Sequence, residues 1–172
     1  MQALTGLLTL LLFPLVSLCA SLQQITDFGD NPTATKFYIY VPDKLQSSPS
    51  VIVALHYCGG TADAYYTNTE YKTYAEKYNY IVIYPESPYD SHCWDISSQQ
   101  SLTHGAASDS KAIADMVNYI ISNYGANKDS VFVTGTSSGA MMTNVMCATY
   151  PDMFQAGSVY SGVPAGCFYT GT

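Results

Sequence analysis

Apolar residues in this sequence fall into short, nearly continuous runs, and these runs predict the strands of a sheet. Each run is rich in β-branched and aromatic side chains, which favour strands. Few polar residues interrupt the runs, as is typical of strands that are buried on both faces. Pro42 and Pro85 are predicted to end the first and the third run. The predicted strands are Lys36–Val41, Val51–His56, Tyr80–Tyr84, Val131–Thr134 and Gly157–Tyr160.

Segments with helical character separate most of these strands. Helix-forming residues with recurring apolar positions predict helices over 62–78, 109–124 and 138–149. Asp109 is predicted to cap the start of the second helix. The stretch 86–108 lacks periodicity and is predicted to be a long loop. Strands that alternate with helices predict the α/β class, with a mostly parallel sheet and helices on both faces.

The stretch from Leu4 to Leu18 is almost continuously apolar, the first 20 residues carry no charge, and the small residues Cys19 and Ala20 follow the stretch. The stretch is shorter than a membrane-spanning helix requires, and no basic flank follows it. We therefore expect a secretory signal peptide over 1–20, an extracellular protein and no membrane partner. An uncleaved anchor or a buried helix is the alternative. Residues 21–172 are expected to form the N-terminal part of a single domain.

Composition narrows the class of partner. The formal charge is −7, and all 6 basic residues are lysines. Such a chain lacks the positive footprint that a nucleic-acid partner requires. Hydrophobic residues make up 48% of the chain and charged residues only 11%, so the chain can bury a core. Low charge together with 16 tyrosines suits a secreted protein that meets neutral, hydroxyl-rich polymers.

Four cysteines would remain after removal of the signal peptide, namely Cys58, Cys93, Cys147 and Cys167. Thiols outside the cell tend to pair. Four cysteines allow three sets of pairs, and their spacing does not choose among these sets. The sequence contains no close C-x-x-C pair, so we expect no metal site.

Residues 135–139 read Gly-Thr-Ser-Ser-Gly and match the G-x-S-x-G pattern of serine hydrolases. The pattern alone is weak, but here it directly follows a predicted strand and directly precedes a predicted helix. This is the setting of a nucleophile elbow, in which Ser137 would present its hydroxyl to a substrate. The start of the helix would offer a positive dipole and the free N–H of Ser138 to an oxyanion. A plain strand-to-helix turn that uses glycines is the alternative.

A second oxyanion donor is expected in the loop after an earlier strand. That loop is 57–60, which reads Tyr-Cys-Gly-Gly. Glycines let the backbone approach a substrate oxygen closely, although an ordinary turn is the alternative. Tyr57 is the best tyrosine candidate for lining the cleft, because it lies next to this loop.

Several segments resemble the fungal acetylxylan esterases. These enzymes belong to a carbohydrate esterase family that also contains feruloyl esterases and that is similar to polyhydroxybutyrate depolymerases. The resemblance covers about Lys36 to Cys167 and is most specific in GTSSGAMMTN. The other segments that carry it are LHYCGGTADAY, IVIYPES and CWDISS.

The resemblance implies an α/β-hydrolase fold in which Ser137 is the nucleophile. It implies that the backbone N–H of Cys58 lies beside that of Ser138 in the oxyanion hole, and that Cys58 and Cys93 form a disulfide. Trp94 matches a family tryptophan and would bind substrate by stacking on sugar rings. A monomer that removes acetyl groups from xylan without a cofactor is expected, with feruloyl or related polymer esters as the alternative substrates.

The catalytic triad of this fold runs serine, then acid, then histidine. The family's acid and histidine positions find no match in the sequence after Ser137. The three histidines, His56, His92 and His104, are expected to fix loops or to lie on the surface rather than to act as the base. Asp95 is expected to accept hydrogen bonds from loop amides. The alternative to an active esterase is therefore a truncated, catalytically incompetent fragment with at most weak carbohydrate binding.

Overall fold

The structure of this protein is a computed structural model that describes residues 20–169 and 171. The expected signal peptide therefore lies, except for Ala20, outside the described residues. No helix in the described part of the chain is both long enough and apolar enough to cross a membrane.

A six-stranded sheet forms the centre of the described chain. Its strands are β1 (Gln23–Ile25), β2 (Lys36–Tyr40), β3 (Ser50–Leu55), β4 (Tyr80–Glu86), β5 (Val131–Thr136) and β6 (Ala156–Tyr160). They lie in the order β1-β2-β4-β3-β5-β6. The pairs β1–β2 and β2–β4 are antiparallel, and the pairs β4–β3, β3–β5 and β5–β6 are parallel. The predicted mostly parallel sheet is confirmed, with the short strand β1 as an element that the sequence pattern did not reveal.

Helices cover both faces of this sheet. They are α1 (Ala62–Asn68), α2 (Tyr71–Tyr78), α3 (Asp109–Tyr124) and α4 (Ser138–Thr149). Ile81 and Ile83 of β4 belong to the apolar cluster under α3 and α4. Val82 and Tyr84 belong to the cluster under α1 and α2. Because successive strand residues point to opposite faces, this division confirms that the central strands are buried on both sides.

The single helix predicted over 62–78 is wrong, because two helices occupy this segment. Thr69 ends α1 in an extended conformation, with φ −123° and ψ 158°. Its hydroxyl donates to the carbonyl oxygen of Tyr65 at 2.6 Å.

Pro85 does not end β4, as the sequence predicted. The strand continues to Glu86, and Pro85 pairs with Phe37 of the neighbouring antiparallel strand. The parallel pairing of β4 with β3 extends only to Ile83, so the missing N–H of Pro85 interrupts no pairing on that side.

The cap of α3 also differs from the prediction. Ser108 occupies the N-cap position, and its hydroxyl accepts from the backbone N–H of Lys111 at 3.4 Å. Asp109 is the first helical residue, where a carboxylate still lies close to the positive end of the helix. Its carboxylate accepts a hydrogen bond from the backbone N–H of Asp95.

The central strands bring three loops to one edge of the sheet. Leu55, at the end of β3, pairs with Gly135, near the end of the parallel strand β5. The carboxyl ends of parallel strands point in the same direction, so the loops after β3, β4 and β5 meet there. Ligands of open α/β sheets bind at this edge.

Candidate active site

Ser137 lies in the sharp turn between β5 and α4. Its backbone adopts φ 54° and ψ −115°, a region that residues with a side chain rarely occupy. Its N–H donates to the carbonyl oxygen of Tyr160 at 2.9 Å, which holds the turn in place. Within the described chain no hydrogen bond engages the Ser137 hydroxyl, and the residue lines an open cleft. Strained positions of this kind occur mostly at functional sites.

Two glycines make this turn sterically feasible. A Cβ atom on Gly139 would lie 2.6 Å from the carbonyl oxygen of His56 and closer still to that of Leu55. A Cβ atom on Gly135 would meet the Ala140 nitrogen at 2.9 Å and Gly139 at a shorter distance. Strand and helix therefore approach so closely that any side chain at either position would collide with backbone.

Ser138 supplies the first candidate oxyanion donor. It is the first residue of α4, so its N–H has no partner within the helix. Both Ser138 and Ser137 line the cleft. The positive end of the helix dipole favours negative charge at this point.

Cys58 supplies the second candidate donor, in the loop after β3. The next two amides of this loop are occupied, since Gly59 donates to Ser91 and Gly60 donates to Tyr57, each at 2.9 Å. In the described chain the N–H of Cys58 has no acceptor of its own. Cys58 also lines the cleft that contains Ser137.

A disulfide joins Cys58 to Cys93, as the resemblance to the esterases implied. It connects the loop after β3 to the loop after β4 across a separation of 35 residues. Cys147 and Cys167 carry free thiols in the structure, the first half-buried and the second exposed. Burial raises the pKa of the Cys147 thiol, which makes it a poor nucleophile.

Trp94 does not present the exposed indole that stacking on a sugar ring requires. Only 3% of the residue is exposed. Its indole N–H donates to the carbonyl oxygen of His56 at 2.9 Å, and its ring centroid lies 5.0 Å from that of His56. These contacts favour a packing role beneath the loop, although Trp94 also forms part of the cleft wall. Tyr57 is exposed but is not among the described residues that line this cleft.

The cleft has a volume of about 420 Å³. Its walls are largely apolar. Four of the lining residues were not predicted from the sequence, namely Ile96, Ser97, Met141 and Phe168. Met141 lies one helical turn after Ser137, so helical spacing could have pointed to it. The other three carry no recognisable signal, because they lie in segments without periodicity. The complete lining is Cys58, Cys93, Trp94, Ile96, Ser97, Ser137, Ser138, Met141 and Phe168.

His56 is fully buried, and both of its ring nitrogens have partners. Nε2 accepts from the backbone N–H of Ser87 at 3.1 Å, and Nδ1 lies 2.8 Å from the carbonyl oxygen of Tyr57. A nitrogen that accepts an N–H carries no proton, so these partners require the neutral tautomer with hydrogen on Nδ1. Burial lowers the pKa of His56. The expected role in orienting the loop agrees with this geometry.

The other two histidines lie away from a catalytic arrangement. His104 Nδ1 lies 2.6 Å from the carbonyl oxygen of Thr149, the loop-fixing hydrogen bond that was predicted. His92 is partly buried, contrary to the expected surface position, and its Nδ1 has no partner in the described chain. No hydrogen bond joins the Ser137 hydroxyl to any histidine among the described residues.

Two buried or half-buried carboxylates organise the long loop 87–108. The Asp95 side chain accepts the backbone N–H groups of Ser97 and Ser98, as expected. Asp109 in turn accepts the N–H of Asp95 at 3.1 Å. Burial raises the pKa of Asp109. Both carboxylates therefore stabilise the loop by accepting hydrogen bonds from its backbone. The described residues contain no cluster of side chains suited to holding a metal ion.

A family model described as "Esterase PHB depolymerase" matches residues 35–171. This chain belongs to that esterase family. The match includes the elbow, the loop after β3 and both cysteines of the disulfide, which is the whole of the site described above.

Similar sequences occur in fungi. "Probable acetylxylan esterase A" of Aspergillus niger is 59% identical over 172 residues, which cover 98% of this chain and 57% of that protein. "Acetylxylan esterase A" of Emericella nidulans is 63% identical over 149 residues, or 87% of this chain and 49% of that protein. The chain thus spans about half the length of the curated relatives it matches.

Comparison with solved structures identifies the fold. The acetyl xylan esterase from Aspergillus awamori superimposes with a TM-score of 0.86 at 60% identity, over 88% of this chain and 55% of that one. The poly(3-hydroxybutyrate) depolymerase LpqC from Bordetella parapertussis gives a TM-score of 0.61 at 15% identity, over 80% of this chain and 50% of that one, so this likeness shows the fold alone. The predicted α/β-hydrolase fold is confirmed, and the chain forms part of it.

Proposed function

We propose that this chain carries the nucleophile and oxyanion-hole half of a secreted serine esterase that removes acetyl groups from xylan. The observation that carries the proposal is the strained Ser137 in a cleft shared with Cys58 and Ser138. Among the described residues, the Ser137 hydroxyl has no hydrogen-bond partner and the N–H groups of Cys58 and Ser138 have no acceptor. The names of the fungal relatives support acetylated xylan as the substrate. The disulfide supports secretion, because disulfides persist mainly in oxidising compartments.

In the proposed reaction the Ser137 hydroxyl attacks the carbonyl carbon of the acetyl ester. The carbonyl oxygen gains negative charge and accepts hydrogen bonds from the N–H groups of Cys58 and Ser138. A general base takes the serine proton and passes it to the departing sugar oxygen. The same base then takes a proton from water, which attacks the carbonyl carbon of the acetyl-serine. The bond from that carbon to the serine oxygen breaks, the base returns the proton to this oxygen, and acetate leaves.

The base must come from elsewhere, because His56 and His104 are engaged and no histidine bonds to Ser137 in the described chain. The proposal therefore assigns the base and its acid to polypeptide outside these 172 residues. A chain that spans about 57% of an Aspergillus niger relative leaves room for this assignment. By the same argument, we expect the 172 residues alone to hydrolyse esters only at background rates, which is the alternative that the sequence suggested.

A feruloyl or related polymer esterase is the second candidate function. The cleft of about 420 Å³ is larger than an acetyl group needs. Ile96, Met141 and Phe168 give it an apolar wall of the kind that an aromatic acyl group would contact.

The test compares p-nitrophenyl acetate hydrolysis by two proteins, each with and without S137A. One protein is the 172-residue chain. The other is a chimera in which the unmatched remainder of the Aspergillus awamori esterase follows this chain. We expect turnover by the chimera that S137A abolishes, and background rates for the chain alone. Equal rates for the chimera and its S137A variant would refute the assignment of Ser137, and faster release of ferulate than of acetate from polymer esters would favour the second candidate.

A further inference from the structure

Trp94 connects the two segments that carry the candidate oxyanion donors. Its backbone N–H donates to the Ser138 hydroxyl at 2.9 Å, at the start of α4. Its indole N–H donates to the carbonyl oxygen of His56 at 2.9 Å, two residues before Cys58. One residue in the loop after β4 thus bonds to both the elbow and the loop after β3.

The residues that form these two hydrogen bonds are buried from solvent. Trp94 is 3% exposed, Ser138 is 5% exposed and His56 is fully buried. Buried hydrogen bonds compete with little water, and removal of one partner leaves a costly unsatisfied group. The three residues therefore hold a well-defined separation.

Gly139 brings the start of α4 into backbone contact with the end of β3, but the other bonded connections do not link the loop after β4 to both donor segments. The Cys58–Cys93 disulfide and the bond from Gly59 to Ser91 join the loop after β3 to the loop after β4. Neither of these two bonds includes a residue of α4. The side chain of Ser138 is the part of the helix start that bonds to the loop after β4.

We propose that Trp94 and the Ser138 hydroxyl form a clamp that sets the distance between the N–H groups of Cys58 and Ser138. This inference rests on the proposed esterase function. Oxyanion donors act only when both lie within about 2.7–3.1 Å of the developing charge. A misplacement of about 1 Å can cost on the order of 100-fold in rate. Trp94 is accordingly a positioning residue and does not touch the reacting atoms.

The first experiment tests the clamp on the 172-residue protein without reference to activity. Trp94 is the only tryptophan, so its indole N–H gives a single resonance in a nitrogen–proton spectrum. S138A removes the acceptor of the backbone N–H, whereas S138T keeps a hydroxyl. Hydrogen exchange of the indole N–H should be at least roughly tenfold faster in S138A and nearly unchanged in S138T, because loss of about 1.4 kcal/mol of protection is a tenfold change. Unchanged exchange in S138A would overturn the clamp.

The matched control is Y71F, which removes the hydroxyl bonded to Thr134 at 3.1 Å on the other face of the sheet. It should leave indole exchange at the level of the unaltered protein. Faster exchange in Y71F as well would mean that Trp94 responds to general loosening, which would also overturn the clamp.

The second experiment tests positioning by kinetics on the chimera, because the 172-residue chain by itself is expected to show only background rates. W94F keeps a ring but loses the indole N–H. We expect W94F and S138A to lower kcat by roughly 10-fold to 100-fold with KM within about twofold, since oxyanion donors act on the transition state. Y71F should change neither constant, and S138T should restore most of the rate.

The outcomes separate the two proposals. Faster indole exchange with unchanged kcat would refute the positioning role while leaving the esterase intact. A rise in KM alone would place Trp94 in substrate binding and would also refute it. Equal rates for the chimera with and without S137A would refute the esterase function itself, and the positioning role with it.

Discussion

The close packing of α4 on the end of β3 makes a strong prediction about Gly139. An added methyl group would lie 2.6 Å from the carbonyl oxygen of His56 and closer still to that of Leu55. Favourable carbon contacts lie at about 3.5–4.0 Å, so strand and helix would have to separate by roughly 1 Å. Both obstacles are backbone oxygens, one in the last residue of β3 and one in the residue that follows it, and neither can rotate away.

The expected loss of stability in G139A is at least about 3 kcal/mol, the upper end of ordinary overpacking in a core. For a protein of this size such a loss lowers the Tm by roughly 6–12 °C. Urea unfolding followed by the emission of Trp94, the only tryptophan, measures the free energy directly. Calorimetry supplies the Tm as an independent check.

Gly157 provides the matched control. A methyl group there would also fall within 3 Å of a neighbour, at 2.7 Å, but that neighbour is the Sγ atom of Cys147. A thiol can rotate, and β6 is an exposed edge strand, so G157A should cost less than about 1 kcal/mol. Equal losses in the two variants, or a loss in G139A below about 0.5 kcal/mol, would refute the argument that backbone contact at the elbow limits this position.

Two further predictions concern the same end of the sheet. The double variant C58S/C93S should lose about 4 kcal/mol of unfolding free energy in urea, because the disulfide closes a loop of 35 residues. The control C167S, at an exposed free thiol, should stay within about 0.5 kcal/mol of the unaltered protein. Equal stability of the two variants would contradict this prediction. Burial lowers the pKa of His56, so its contribution to stability is present above its unfolded pKa of about 6.5 and is lost as the pH falls through the lowered folded pKa. Urea unfolding at pH 7.5 and pH 5.5 should show this acid-side loss, and H56Q should reduce it; identical losses in both proteins would show that another group is responsible.

Local sequence was sufficient for most of the architecture. Runs such as 80–84 and 131–133 are apolar or aromatic at every position, as a sheet buried on both faces requires, so their conformation follows from the local sequence. The Gly-x-Ser-x-Gly turn was also predictable, because backbone collision at Gly135 and Gly139 excludes any other residue. One error occurred where the local pattern continues across a break, as at Thr69, whose extended backbone separates α1 from α2.

The surroundings of Ser137 depend on contacts between residues that are far apart in the chain. The sequence by itself determined the α/β class, the position of the elbow and the two glycines that it requires, since each follows from residues that are neighbours in the chain. Only the tertiary structure decided that Trp94 is buried against His56 and that Phe168 joins the cleft wall. It also decided that both ring nitrogens of His56 are occupied. A hydrogen bond or a cleft wall exists only when separate segments meet, and their meeting is set by the packing of the whole sheet and its helices.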